Sequence, residues 1–595
     1  MFEKFQSMIN EKIDEYTNGK IDTTNSNLYD EFKTPIEYLE PQYLHKIDPI
    51  VASDLEIQFN ESNDTQIQTQ TIYDHLMNPQ DVFHKKSIIK NDIYTTHVDF
   101  LKDTQNVIKN MGSFNNDDCS YINCNEFLEV WKETKQNPWF LDKYCYIDWK
   151  IFRHFNNSSF FLQMLSFLNM TSPVLALIVP FFFLIFPFLI LKFQGIPISF
   201  ETYINVLRDI AKNHFIGKIL NIRTMKFENV LYLLFTIGLY CVQLYQNVNI
   251  CMKFYENISK VNNYLSNMRI YLQNTIHKME NFIEKNNFLN HYNQFNSITN
   301  DHCEVLKQLH SQLSSIQPFY PSLLKTTEIG YLLKMFYIIH NDPQYDISLK
   351  YSAGFNGYIC VLKGIYQHIE NNTVNYATFS KCKTVFKNQY YPPLHKDENV
   401  VKNDCIINKN IITGPNASGK TTLLKTTALN IIFSQQYGIG FYSSCVLNPY
   451  THIHSYLNIP DTSGRDSLFQ AESRRCKEII DIIENHETER HFTIFDELFS
   501  GTNPVEASRS AYAFLLYLSK YDNVDFILTT HYTSICKKLQ NTSSIRNYKM
   551  DVINENNKLT YTYKMKKGIS KIQGALIVLE EMKFPNEIID TVKNY

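Results

Sequence analysis

Eight consecutive residues, Gly414-Pro415-Asn416-Ala417-Ser418-Gly419-Lys420-Thr421, carry glycines, a lysine and a hydroxyl at the G-x-x-x-x-G-K-[ST] spacing. Glycines at those places let backbone N–H groups wrap phosphate oxygens, and a helix starting there adds its positive end. Lys420 then reaches the outer phosphates, and the Thr421 hydroxyl, followed by Thr422, enters a Mg²⁺ shell. Seventy-five residues beyond Thr421, the apolar run Phe492-Thr493-Ile494-Phe495 ends in Asp496-Glu497. A carboxylate at a strand end suits Mg²⁺ held through water, which assigns Asp496 to the metal with Thr421. The next carboxylate, Glu497, is positioned to polarise an attacking water as general base. A third apolar run, Phe526-Ile527-Leu528-Thr529-Thr530, ends at His531, which is placed to sense the terminal phosphate or orient that water. Together these predict a site for ATP and Mg²⁺ with Lys420, Glu497 and His531 as its catalytic groups.

The elements that must position these residues are legible around them. Ile411-Ile412 precedes the glycine loop as a short apolar strand, and Thr422 to Phe433 follows as a helix. Further β-like runs begin after Thr373, such as Cys405-Ile406-Ile407. Apolar strands alternating with helices, each strand ending in a polar group, predict an α/β domain over residues 373–595.

Several strings in this region resemble the MutS family of DNA mismatch-repair ATPases, a branch of the ABC superfamily. They are Gly414–Thr422, the segment Asp496-Glu497-Leu498-Phe499-Ser500-Gly501-Thr502, and Thr529-Thr530-His531-Tyr532. Ser463 to Glu472 resembles the family's signature segment, with Gln470 and Ala471 where Met and Val are usual. Asn403-Asp404 resembles its N-D pair, and Tyr563-Lys564-Met565 with Gly568 and Gly574 its closing strand and helix. The resemblance implies an ABC-type P-loop fold and a composite site in a homodimer. Ser467 of one subunit would bind the γ-phosphate held by the other, and Thr502 and Asn503 would lie at the seam. It also implies DNA as a partner, although no mismatch-reading domain is recognisable. Four Phe-x-Glu triplets, at Phe59, Phe127, Phe254 and Phe282, are expected by chance among 42 phenylalanines.

The rest of the chain reads as mostly helical. Residues 1–150 are polar and mixed, with Gln66 to Thr71 a polar loop, and suggest no function. Residues 151–253 are hydrophobic. No charge occurs from Phe155 to Leu191, and Pro173–Leu191 is an unbroken apolar run. It is long enough for a membrane span, where its three prolines are tolerated. Val230–Leu244 is a weaker candidate, for which a core helix is an equal alternative. The loop between them carries Lys192, Arg208, Lys212, Lys218, Arg223 and Lys226 against Glu201 and Asp209. Such a loop favours the cytosolic side, as does the ATP site, so a shallow re-entrant hairpin would reconcile the two. Residues 254–372 read as lever-like helix: Ile258, Val261, Tyr264, Leu265, Met268, Tyr271 and Leu272 recur at three- and four-residue steps. One long amphipathic helix is expected over Phe254–Ile316.

A chain of 595 residues exceeds one core, and a net charge of −3 lacks the basic excess common in nucleic-acid binders. The 12 cysteines, Cys119 and Cys124 included, lack the paired knuckle spacing of a cysteine zinc site. Unpatterned thiols fit a reducing, intracellular compartment, with the ATP site in the cytosol and a membrane association through Pro173–Leu191. The N-terminus lacks the apolar region of a signal peptide.

Overall fold

A computed structural model describes residues 28, 31–57, 70–79, 83, 85, 92–114, 124–195, 199, 201–205, 227–316, 326–457, 459, 467–540, 542, 544–555, 558–571, 579, 582 and 584–594. The expected loop Gln66–Thr69, Cys119, Ser463–Asp466, Gly574, the triplet at Phe59 and the charged positions from Arg208 to Lys226 lie outside these residues. The chain forms two compact units that interleave along the sequence. One comprises residues 1–120, 277–302 and 350–595; the other comprises 121–276 and 303–349.

In chain order the strands are β1 (Leu44–Lys46), β2 (Ile93–Thr95), β3 (Asn375–Phe379), β4 (Val385–Gln389), β5 (Asn403–Ile406), β6 (Lys409–Thr413), β7 (Ile439–Gly440), β8 (Ser444–Leu447), β9 (His452–Tyr456), β10 (His491–Asp496), β11 (Val524–Thr530), β12 (Ile545–Glu555) and β13 (Lys558–Lys567). The first unit is built on a six-stranded sheet of order β13-β12-β6-β11-β10-β9. Strands β9, β10, β11, β6 and β12 are parallel, and only β13 pairs antiparallel. Parallel neighbours need crossover connections, and the helices Leu468–Asn485, Pro504–Leu518 and Thr533–Leu539 supply them. Strands covered on both faces read as apolar runs rather than alternating ones. All of β6 is buried, as are His491–Phe495 of β10. Ile411, Phe495, Phe526 and Leu528 meet Ile479, Ile483 and Leu515 of the crossover helices in one core. A second sheet, β5-β4-β8-β3-β7, flanks this region in sequence.

Described residues within 1–120, for which the sequence suggested no role, pack onto the helix that follows the glycine loop. Fifteen of the 18 residues of Lys420–Tyr437 are buried, which no one-sided amphipathic pattern would predict. The Tyr73 hydroxyl donates to Gln436 at 2.9 Å, and Gln435 and Gln436 donate to the carbonyls of Thr95 and Ile93 at 3.2 and 3.1 Å. The helix ends at Gly438, whose φ of 71° favours glycine. A Cβ there would also meet the Gln105 side chain at 2.7 Å, and that side chain donates to the Gly438 carbonyl.

The second unit is helical. Ser159–Phe193 is one continuous helix of 35 residues, and Phe227–Asn286 one of 60, whose residues beyond Ile276 belong to the first unit. The Tyr240 hydroxyl donates to Ala176 O at 3.2 Å and the Cys251 thiol to Met170 O at 3.4 Å, so the two helices run antiparallel. Ser159–Ile178 is long and apolar enough to cross a membrane. The expected span Pro173–Leu191 lies within the same helix; the side chains at 179–181, 183–185 and 187 fall outside the described set. Leu231, Leu234, Phe235, Leu239 and Val242 are more than half exposed, so Val230–Leu244 is not a core helix.

Of the seven apolar positions from Ile258 to Leu272, all but the half-buried Tyr264 are buried, and the Tyr271 ring stacks on Phe127 at 4.2 Å. The single helix expected over Phe254–Ile316 is instead two. The first stops at Asn286, a 3-10 turn spans Asn290–Tyr292, and Asn293–Leu313 continues. Side-chain bonds hold the break: Asn286 donates to Phe282 O at 2.8 Å, and Asn296 donates to Asn286 O at 3.1 Å.

Candidate nucleotide site

Strands β6, β11 and β10 are neighbours, so their carboxyl ends gather three polar groups at one edge of the sheet, where ligands of open parallel sheets bind. The glycine loop leaves β6 after Thr413. Ala417 and Gly419 take φ of 60° and 89°, turning the loop back before the Lys420–Tyr437 helix begins. Gly414 is packed tightly: a Cβ would meet Ser418 Oγ at 2.8 Å, and Ser418 itself donates to Pro415 O at 2.8 Å.

The Lys420 ammonium donates to the carbonyls of Gly414 and Pro415 at 3.1 and 3.0 Å. Burial pushes its pKa down, and the charges of Glu497 and Asp496 push it back up. Thr421 Oγ1 donates to Asp496 Oδ2 at 2.8 Å, which joins the two groups expected to hold Mg²⁺. The Thr529 hydroxyl donates to the other Asp496 oxygen. A hydroxyl and a carboxylate oxygen side by side at the foot of a phosphate cradle form a hard oxygen pair, the donor chemistry Mg²⁺ takes alongside water and phosphate. The residues therefore fit the ion.

Glu497 sits just past β10 in a left-handed conformation, with φ of 51°, and its N–H donates to Thr529 O at 3.1 Å. Its carboxylate lies 3.0 Å from His531 Nε2. That same nitrogen is 3.3 Å from Lys420 Nζ. One nitrogen cannot serve both partners in one protonation state. Carrying a proton, it donates to Glu497; bare, it accepts from Lys420. The hydrogen bond from His531, then its charge and that of Lys420, hold the Glu497 carboxyl below the usual glutamate range, against burial. Glu497 is thus ionised through neutral pH and able to accept a proton.

A cavity of ≈ 550 Å³ opens beside these groups. Its floor is Asn416–Leu423 with Glu497, and its walls include Tyr391, Leu394, Val400, Val401 and Tyr563. Volume and lining suit a small ligand with one polar, anionic end and one flat apolar end. Ser467 does not line this cavity. It caps the Leu468–Asn485 helix, where Gln470 N donates to Ser467 Oγ at 3.3 Å and Ser467 N to Gln470 Oε1 at 2.9 Å. Asn503 likewise caps its own helix, Pro504–Leu518, accepting from Val505 N at 2.9 Å.

Residues 410–595 match the family model described as MutS domain V. This segment is similar to domain V of the MutS family. The chain is 27% identical over 202 residues to a DNA mismatch repair protein MutS of Geobacillus sp. (strain WCH70), covering 32% of this chain and 23% of that protein. It is 30% identical over 222 residues to an Endonuclease MutS2 of Staphylococcus haemolyticus, covering 36% and 28%. The Endonuclease MutS2 of Fusobacterium nucleatum is 30% identical over 197 residues, 31% of this chain and 23% of that protein. The chain thus matches about a quarter of the length of these curated relatives.

Three features of this MutS-like region escaped sequence reasoning. Glu472 is buried, and it accepts from Ser500 N and Ser500 Oγ, both at 2.9 Å, and from Gly501 N at 3.2 Å. It ties the helix headed by Ser467 to the segment after Asp496-Glu497. Tyr456 adds to this by accepting from Phe499 N at 3.1 Å. The Asn403 side chain brackets β13, donating to Tyr563 O at 3.0 Å and accepting from Met565 N at 2.8 Å, so that Tyr563 is held against Gly419. For Glu472 and Asn403 the only signal in the sequence was membership of recognisable strings, and Tyr456 had none; the partners lie 28 to 162 residues away.

The His531–Glu497 contact carries a pH prediction. Removing His531 removes the bond that lowers the Glu497 pKa, so that pKa rises. In His531→Ala the acid limb of the ATPase pH–rate profile moves to higher pH than in the wild type. A limb that stayed in place would detach His531 from the base.

Proposed function

We propose that this chain is an ATP-hydrolysing switch of the MutS type, in which two copies close around ATP and Mg²⁺. The observation that carries this reading is the convergence of Lys420, Thr421, Asp496, Glu497 and His531 beside one cavity. Backbone N–H groups of Asn416–Thr422 and the Lys420 ammonium would bind the phosphates, and Thr421 and Asp496 would hold Mg²⁺, which supplies charge neutralisation on the phosphates when bound. Glu497 takes the proton of the attacking water while His531 orients it.

Ser467 stands at an exposed helix N-terminus, outside its own cavity, a position suited to completing the site of a second copy. Ser467→Arg would then leave ATP binding within a few-fold of wild type and lower turnover by about 100-fold. Loss of the helix cap alone costs about 1 kcal/mol of stability, which a melting curve separates from the kinetic effect. An unchanged rate contradicts the composite site.

The relatives named as mismatch-repair and endonuclease proteins support DNA as the coupled partner. A second reading is favoured by the antiparallel helices of the second unit, where Phe160, Phe167, Leu168 and Leu177 stand about half exposed or more. It makes this an ATPase held at a membrane and acting there on a membrane or protein partner. Fractionation followed by ATPase assay with and without DNA decides between them. DNA stimulation that falls steeply with salt supports the first. Release from the membrane pellet by detergent and not by carbonate, with no DNA stimulation, supports the second.

A further inference from the structure

Five histidines crowd the outer edge of the six-stranded sheet, and none of them lines the nucleotide cavity. His452 and His454 lie on the edge strand β9, His491 opens β10, His486 ends the Leu468–Asn485 helix, and His45 lies on β1. The His452 and His491 rings stack with centroids 4.7 Å apart, and His452 and His486 lie at 4.8 Å. Glu489 completes the group: its carboxylate is 2.7 Å from His452 Nε2 and 3.5 Å from His486 Nδ1. The ligand atoms of His452, His486 and Glu489 all lie within 4.8 Å of one another.

We propose that His452, His486 and Glu489 form a binding site for a divalent transition-metal ion of the zinc class, separate from the Mg²⁺ of the nucleotide site.

Two imidazole nitrogens and one carboxylate oxygen are a common three-ligand set for zinc, leaving a fourth position for water or an incoming group. Metal–ligand bonds of about 2.0–2.2 Å put tetrahedral ligand atoms about 3.3 Å apart, so the widest gap needs to close by about 1.5 Å. The exposed His486 ring has room to make that movement, while the other two groups are already adjacent. The backbone carrying the ligands is fixed beforehand. Glu489 N donates to His486 O at 3.0 Å, closing the turn between them. The Asn523 side-chain amide donates to the carbonyls of both Glu487 and Glu489. His452 N donates to Arg490 O at 3.0 Å, which sets the edge strand against the same turn. His491 Nε2 lies 3.1 Å from His486 O, a further tie behind the ligands. Such outer contacts are what hold metal ligands in register. A plain His–Glu ion pair would need neither the third ligand nor a turn braced from three sides.

The test uses the full chain, detergent-solubilised if it fractionates with membranes. Wild type and His486→Ala are dialysed against zinc buffered in the low micromolar range and their metal content measured; Co²⁺ absorption then reports the ligand geometry. His486 is exposed, so its loss leaves the fold intact, and retained ATP binding checks this. The proposal predicts one more zinc per chain in the wild type than in His486→Ala, and a Co²⁺ visible band of tetrahedral strength that the variant lacks. Asn523→Ala, which removes no ligand, should weaken zinc by about 10–100-fold. Equal zinc content and equal spectra in wild type and His486→Ala would overturn the site, as would a wild type that takes up no zinc.

Discussion

Lys420→Ala is expected to lower ATP turnover by at least about 100-fold, the typical cost of deleting one preorganised charge donor at a reacting centre. The side chain is buried, and its ammonium is already held at the mouth of the loop by the Gly414 and Pro415 carbonyls. Burial lowers its pKa, but the neighbouring Glu497 and Asp496 charges favour the protonated form. A triphosphate entering the loop would add anionic oxygens to that same neighbourhood and strengthen the preference. Alanine removes the charge and leaves two carbonyls without their donor, at about 1 kcal/mol of stability each. The variant should therefore melt slightly lower while losing ATP binding and turnover together. A variant that hydrolysed ATP at the wild-type rate would show that this loop does not hold the phosphates.

Glu497→Gln is expected to separate binding from chemistry. The carboxylate lies 3.0 Å from His531 and borders the cavity, whereas the proposed phosphate contacts come from the loop. Glutamine keeps the size and can still bond His531, but it cannot accept a proton. Turnover should fall by about 10²–10⁴-fold with ATP affinity within a few-fold of wild type. Uncleaved ATP would then accumulate on the protein and be recovered intact on acid quenching. Normal turnover would remove Glu497 from the role of base. A parallel loss of ATP binding would make it a structural anchor instead.

The site was legible because its chemistry is local in sequence. The glycine loop is eight contiguous residues, and Asp496-Glu497 and His531 each follow directly on an apolar strand. Parallel order in the sheet then brings those strand ends together, a step that strand patterning implies. What the sequence left hidden depends on distant partners. Glu472 looks like one more charge on a helix until Ser500 and Gly501 are seen to bond it. Gln470 departs from the family pattern, and the structure gives it a task, closing the cap on Ser467. The break between Asn286 and Asn293 was missed because apolar spacing continues on either side, while the asparagine bonds that fix the turn have no periodic signature. The tie between the described residues of 1–120 and the helix after the glycine loop was hidden because it includes single polar contacts, such as Tyr73 to Gln436 and Gln105 to Gly438, that have no periodic signature. The histidine group was invisible for the same reason, its members being drawn from β1, β9, β10 and a helix end.

Equilibrium binding of labelled ATP to the full chain, with and without Mg²⁺, bears most directly on whether the loop, the strand-end carboxylates and the cavity act on one molecule. One saturable ATP per chain is expected, with phosphate released only when Mg²⁺ is supplied. Absence of saturable binding, or phosphate release indifferent to Mg²⁺, would contradict the account.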